Sequence, residues 1–148
     1  MTKKFGFLTK MKKRPHPFSK FVVFIYMETF EKLEVWRRSK DLAVRICLAL
    51  RGCRDYGLRD QIQRAAVSVP SNIAEGMERN GRAEYRNFLG IAKGSAGELR
   101  TQLLILLELG YVDEAEGRQM LGESIRISKM LNGLIRSLKI TPHPHPAP

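Results

Sequence analysis

Apolar residues recur at threes and fours through most of the chain, the period of an amphipathic helix, and no stretch alternates in the manner of a half-buried strand. The pattern predicts four helices. The first runs from about Phe30 to Cys53, with Trp36, Ala43, Ile46, Cys47 and Leu50 on its inner side. The second starts near Leu58, after a break at Tyr56-Gly57, and aligns Leu58, Ile62, Ala65, Ala66, Val69, Ile73 and Met77 in one stripe. Asn80-Gly81 is expected to close it, because these residue types tolerate left-handed backbone. The third, from about Arg82 to Leu109, repeats Tyr85, Phe88, Leu89, Ala92, Ala96, Leu99, Leu103 and Leu106, and Gly110 stops it. Asp113-Glu-Ala-Glu116 resembles a capping box and opens a fourth helix with Leu121, Ile125, Ser128, Leu131, Ile135 and Leu138 inward.

Within the second helix, Arg64 to Gly76 read RAAVSVPSNIAEG. Pro70 has no donor for the Ala66 carbonyl and presses its ring on that turn, so a kink is expected, costing about 3 kcal/mol unless packing offsets it. The apolar stripe nevertheless keeps its phase from Leu58 to Met77, which a loop would have reset. The segment therefore reads as a bent helix.

Four long helices with short connections predict an all-α fold, an antiparallel up-and-down four-helix bundle with a Pro70 kink in helix two. Residues 29–139 form that bundle. Residues 1–28 read as a basic extension, disordered or preceding the true start, since Met11 and Met27 are alternative starts. Residues 140–148 read as a disordered tail, because its prolines remove donors and bias their neighbours to extended conformations.

A core of about 110 residues folds without metal or disulfide staples. Cys47 and Cys53 stand six apart, pointing to different sides of a helix, and read as reduced thiols of a cytoplasmic protein. The longest apolar run, Phe21 to Met27, is far below the roughly 20 residues that span a bilayer. With Glu28 following and no small-residue cleavage site, it does not read as a signal peptide either. Net charge is +11, but residues 1–27 hold seven Lys or Arg and no acid; the remainder has 26 − 7 = 19 basic against 15 acidic residues, or +4.

RAAVSVPSNIAEG, preceded by Phe30-Glu-Lys-Leu-Glu-Val-Trp36 and followed by Leu131-Asn-Gly-Leu-Ile-Arg-Ser-Leu138, closely resembles the four-helix-bundle proteins first noticed as reading frames in intervening sequences of bacterial 23S ribosomal RNA genes. The resemblance covers about residues 29–139 and implies a ring-like homo-oligomer, a pentamer. The chain is also similar in architecture to the accessory protein of diversity-generating retroelements, which implies nucleic acid and a nucleic-acid-processing protein such as a reverse transcriptase as partners. It implies no enzymatic activity.

The residues themselves point away from catalysis. A metal site in a bundle needs several inward carboxylates plus Glu-x-x-His pairs, whereas His16, His143 and His145 all lie outside the bundle. No metal or cofactor is expected. Cys47 and Cys53 have no bundle histidine to act as base. Gly90, Gly94 and Gly97 lie inside a helix, not after a strand, so they are no phosphate loop. Gln61, Ser68, Asn72, Glu75 and Arg79 flank the apolar stripe of helix two, and Ser95, Glu98 and Gln102 form a similar flank on helix three. These read as a structural polar seam of Ser68, Asn72, Glu75, Glu98 and Gln102; the functional alternative is a small pocket with Glu75 and Glu98 as acid and base.

Two rows of cations complete the pattern. Arg82, Arg86, Gly90, Lys93, Gly97 and Arg100 on helix three are spaced 4, 4, 3, 4, 3, and Arg118, Gly122, Arg126, Lys129, Gly133 and Arg136 on helix four repeat that spacing. Such spacing holds one face over several turns, away from the apolar stripe. The functional reading is a phosphate-binding surface for RNA or DNA in which glycines admit a close backbone. The alternatives are a solvated face whose glycines let subunits pack closely, and a structural or adaptor protein that binds a protein partner. Aromatic stacking partners are scarce on these faces, so base-specific recognition of single strands is not indicated.

Overall fold

The computed structural model of the protein describes residues 29–138. The basic extension and the Pro/His tail, with the readings made of them, lie outside the described residues. A short 3-10 turn, Phe30–Lys32, leads into α1 (Glu34–Ala49), α2 (Tyr56–Glu78), α3 (Arg82–Leu109) and α4 (Glu114–Ser137).

The first helix is shorter than its apolar pattern. Leu33 is extended (φ −70°, ψ 122°) and separates the 3-10 turn from α1. Phe30 packs back on Trp36 with ring centroids 5.1 Å apart, so apolar spacing continues across a break in the backbone. At the far end the Cys53 amide donates to the Leu50 carbonyl, a turn rather than another helical residue. In α2 the missed signal is Asp55, whose carboxylate accepts from the Leu58 amide at 3.1 Å and starts the helix two residues early. This is an N-cap, satisfying one of the donors a helix start leaves unpaired.

Gly81 does not close α2 through left-handed backbone. Arg79 leaves the helix extended (φ −77°, ψ 145°) and Gly81 is extended as well (φ −123°). The extended link lets α3 begin at once, with the Tyr85 amide on the Gly81 carbonyl at 2.9 Å. Gly110 does adopt the left-handed conformation (φ 68°), and Asp113 caps α4 by accepting from the Glu116 amide at 3.1 Å, both as the pattern predicts.

Registers follow from contacts between helices. Ser68 meets Ser95 and Gly76 meets Phe88; Arg38 meets Glu123 and Arg45 meets Gln119; Leu107 meets Gly117 and Arg82 meets Ser137. Residue numbers rise on one helix as they fall on its neighbour, so α2 with α3, α1 with α4 and α3 with α4 run antiparallel. One layer takes two residues from each helix: Ser39 and Leu42, Ala66 and Val69, Ala96 and Leu99, Ser124 and Ile127.

The inner row of α4 is displaced from the prediction by one residue. Gly117, Met120, Ser124, Ile127 and Leu131 are buried, whereas Leu121, Ile125, Ser128, Ile135 and Leu138 are half-buried along the flank. Close approach outweighs hydropathy here. A Cβ on Gly117 would lie 2.5 Å from Leu107 Cδ2, so a larger residue there would have to displace the Leu107 side chain. The buried Ser124 hydroxyl donates to the Leu121 carbonyl at 2.7 Å and needs no partner from outside.

Candidate nucleic-acid interface

The polar flank resolves into two separate groups. α2 runs unbroken through the buried Pro70, and the two residues after it turn their side chains back on the preceding turn. Ser71 Oγ donates to the Val67 carbonyl and Asn72 Nδ2 to the Ser68 carbonyl, both at 2.8 Å. Asn72 Nδ2 also lies 2.9 Å from Ser68 Oγ, and Ser68 Oγ is 2.8 Å from Ser95 Oγ across the helix pair. Ser68, Asn72 and Ser95 thus form one hydrogen-bonded set tying α2 to α3.

Gln102 and Glu98 form the second group, Gln102 Nε2 donating to Glu98 Oε1 at 3.2 Å. Glu75 stands apart. It pairs with Arg79 on the surface at 2.8 Å, and Arg79 is held further in its charged form by that carboxylate. The α2–α3 register sets Glu98 opposite Ala65 or Ala66, ten residues from Glu75, or about 15 Å along the axis at 1.5 Å per residue. An acid and a base working on one substrate atom must each come within hydrogen-bond reach of it. These two carboxylates are too far apart to do so.

Both cationic rows lie open. Arg82, Arg86, Lys93, Arg100, Arg118, Arg126, Lys129 and Arg136 are all exposed. Arg118 is partly neutralised by Glu114 at 2.8 Å, and Arg82 donates to the Ser137 carbonyl at 3.2 Å. Among the described residues, Arg86, Lys93, Arg100, Arg126, Lys129 and Arg136 have no ion pair. A Cβ on Gly90, Gly97, Gly122 or Gly133 would meet nothing within 4 Å, so the backbone between the cations is accessible.

The two rows do not face one another. Leu107, seven residues beyond Arg100 and on the same side of α3, packs at Gly117, which places the α3 row beside α4. Gln119, seven before Arg126, accepts from Arg45, so the α4 row turns outward and toward α1. There it is joined by Arg45, which the sequence reading did not include. Arg37 instead donates to the Glu31 carbonyl at 2.7 Å. Arg38 adds little, because Glu34 and Glu123 hold it at 2.8 and 2.9 Å and the Glu123 hydrogen bond raises its pKa. The spacing of seven between Arg38 and Arg45 was the available signal, but their proximity to α4 depends on the antiparallel register.

The surface is thus two cationic strips about 27 Å long, from 18 residues of helical rise each, without an enclosed chemical site between them. Among the described residues no helix is long and apolar enough to cross a membrane.

The family model described as 23S rRNA-intervening sequence protein matches residues 31–133. Among solved structures, the chain is similar to a protein with unknown function from the S23 ribosomal protein family of Bacteroides thetaiotaomicron, with 28% identity and a TM-score of 0.65 over 69% of this chain and 98% of that one. No curated protein matches it.

Proposed function

The chain belongs to the 23S rRNA-intervening sequence protein family, and on that premise we propose that it is a non-enzymatic, homo-oligomeric bundle, a pentamer in the cytoplasm, that binds RNA or DNA through its basic helix faces. It acts as an accessory or scaffold beside a nucleic-acid-processing protein such as a reverse transcriptase. The observation that carries this reading is the row of exposed, unpaired cations on α3 and α4 with open glycine backbone between them. Lys and Arg placed this way bind phosphates by releasing condensed counterions, independent of base sequence.

The test is fluorescence anisotropy with labelled RNA and DNA, single-stranded and duplex, over a range of salt. The full chain and a chain beginning at Met27 are compared, because residues 1–27 carry seven cations of their own. Both should bind, with log Kd rising linearly with log salt. Charge reversal at Lys93, Arg100 and Lys129 together should weaken binding and flatten that slope; unchanged binding at every salt concentration would overturn the proposal. Absence of binding by the Met27 chain would favour an adaptor that holds a protein partner, with charge serving solubility.

A further inference from the structure

Two groups of large apolar side chains are left open on neighbouring sides of the bundle. One is a groove between α1 and α2 lined by Val44, Cys47, Leu48, Val67 and Pro70, where Val44, Leu48 and Val67 are 52%, 50% and 49% exposed. The other is a row on α3, Ile91, Ile105 and Leu109, exposed 51%, 42% and 51%. Single exposed apolar residues are ordinary, but contiguous ones mark contact surfaces.

We propose that the homo-oligomer closes head to tail, the α1–α2 groove of one copy receiving the α3 row of the next. The proposal rests on the homo-oligomeric reading above and specifies its interface. Charge supports a second copy as the occupant. Lys40 and Arg51 line the groove at its two ends, Lys40 paired with Asp41 at 3.0 Å. On α3, Glu98 lies midway between Ile91 and Ile105, seven residues from each, and Glu108 adjoins Leu109. Neither carboxylate has an ion pair among the described residues, and nor does Arg51. The groove is thus apolar with an uncompensated cation at its Arg51 end, and the row is apolar with carboxylates along it.

Spacing supports the same pairing. Val44 and Leu48 are four residues apart, as are Ile105 and Leu109, so each pair spans about 6 Å of helix. With the two helices antiparallel, Val44 meets Leu109, Leu48 meets Ile105, and Arg51 extends along the seam toward Glu98. A groove and a row are different surfaces, so the contact is heterologous and repeats until it closes. The cationic row of α3 lies on the opposite flank, beside α4, and stays open in such an assembly.

The test uses Val44→Arg and Ile105→Arg in the full chain, each damaging one surface and leaving the other intact. By light scattering, the unaltered protein should be larger than a dimer and each variant alone a monomer. An equimolar mixture should form dimers and nothing larger, because only one groove and one row remain competent. Circular dichroism melts of the variants report their folding. As a second arm, Arg51→Glu should lower the assembled mass and Glu98→Arg in the same chain should restore it. A variant that keeps the full mass, a mixture without dimers, or no rescue would overturn the proposed interface; an unaltered protein that is monomeric would overturn the homo-oligomeric reading itself.

Discussion

A Cβ on Gly76 would lie 2.6 Å from the Cβ of Phe88 and 3.0 Å from Tyr85 Cδ2. Gly76 is the last residue of RAAVSVPSNIAEG, and its bare backbone is what lets the start of α3 fold back on the end of α2. Gly76→Ala should therefore destabilise the protein by about 1–3 kcal/mol through overpacking, read from urea unfolding. Gly90→Ala on α3 is the control. Nothing lies within 4 Å of its added methyl, and replacing glycine in a helix interior should stabilise by up to about 1 kcal/mol.

Asn72 donates to two atoms of Ser68, and Ser68 to or from Ser95. Asn72→Ala removes the amide that organises this set and should cost about 1–2 kcal/mol in denaturant unfolding. Ser95→Ala in the same background should add less than it does alone, because the two changes act on one network. Strict additivity of the two would show that the set is not coupled.

The cations of the two rows should contribute unequally to nucleic-acid binding. Arg86→Ala and Lys129→Ala each remove an unpaired charge and should lower the salt slope by about 0.7–0.9, the contribution of one phosphate contact. Arg118→Ala should change it less, since Glu114 already compensates that guanidinium at 2.8 Å. Arg45→Ala should lower the slope as the α4 changes do, whereas Arg38→Ala, held by two carboxylates, should not. Anisotropy titrations at several salt concentrations separate these cases.

Burial raises the pKa of Tyr85 above the ordinary value of 10.0, because the half-buried site disfavours the phenolate. With the folded-state pKa raised, Tyr85 contributes stability that is fully present below the unfolded value and is lost as pH rises through the folded one. In the window above about pH 10, the Tyr85→Phe protein should lose less stability with rising pH than the parent. A 295 nm absorbance titration should show a tyrosine step above pH 10 disappear in Tyr85→Phe; an unchanged titration curve would contradict the assignment.

The helix count, the all-α class, the Gly110 stop and the Asp113 cap were legible in the sequence because they depend on neighbours within one or two turns. Hydrophobic spacing of three and four places a residue on a face before any partner is known. The phase of the stripe across Pro70 likewise announced a continuous helix, and the structure shows how the following Ser71 and Asn72 answer the carbonyls of the turn before it.

Other features required the tertiary structure. The inner row of α4 lies one residue away from the most apolar one because Gly117 and Ser124 are buried by how closely α3 and its neighbours approach, and hydropathy carries no measure of approach. Arg79 and Gly81 are extended because Tyr85 and Phe88 must return over Gly76, a demand set by the partner helix. The separation of Glu75 from Glu98, the turning of the α4 row toward Arg45, and the bare groove beside Val44 and Leu48 follow from interhelical register. Periodicity along one helix determines which residues share a side of it; only the packing of helices against one another determines which side meets a neighbour and which is left for a partner.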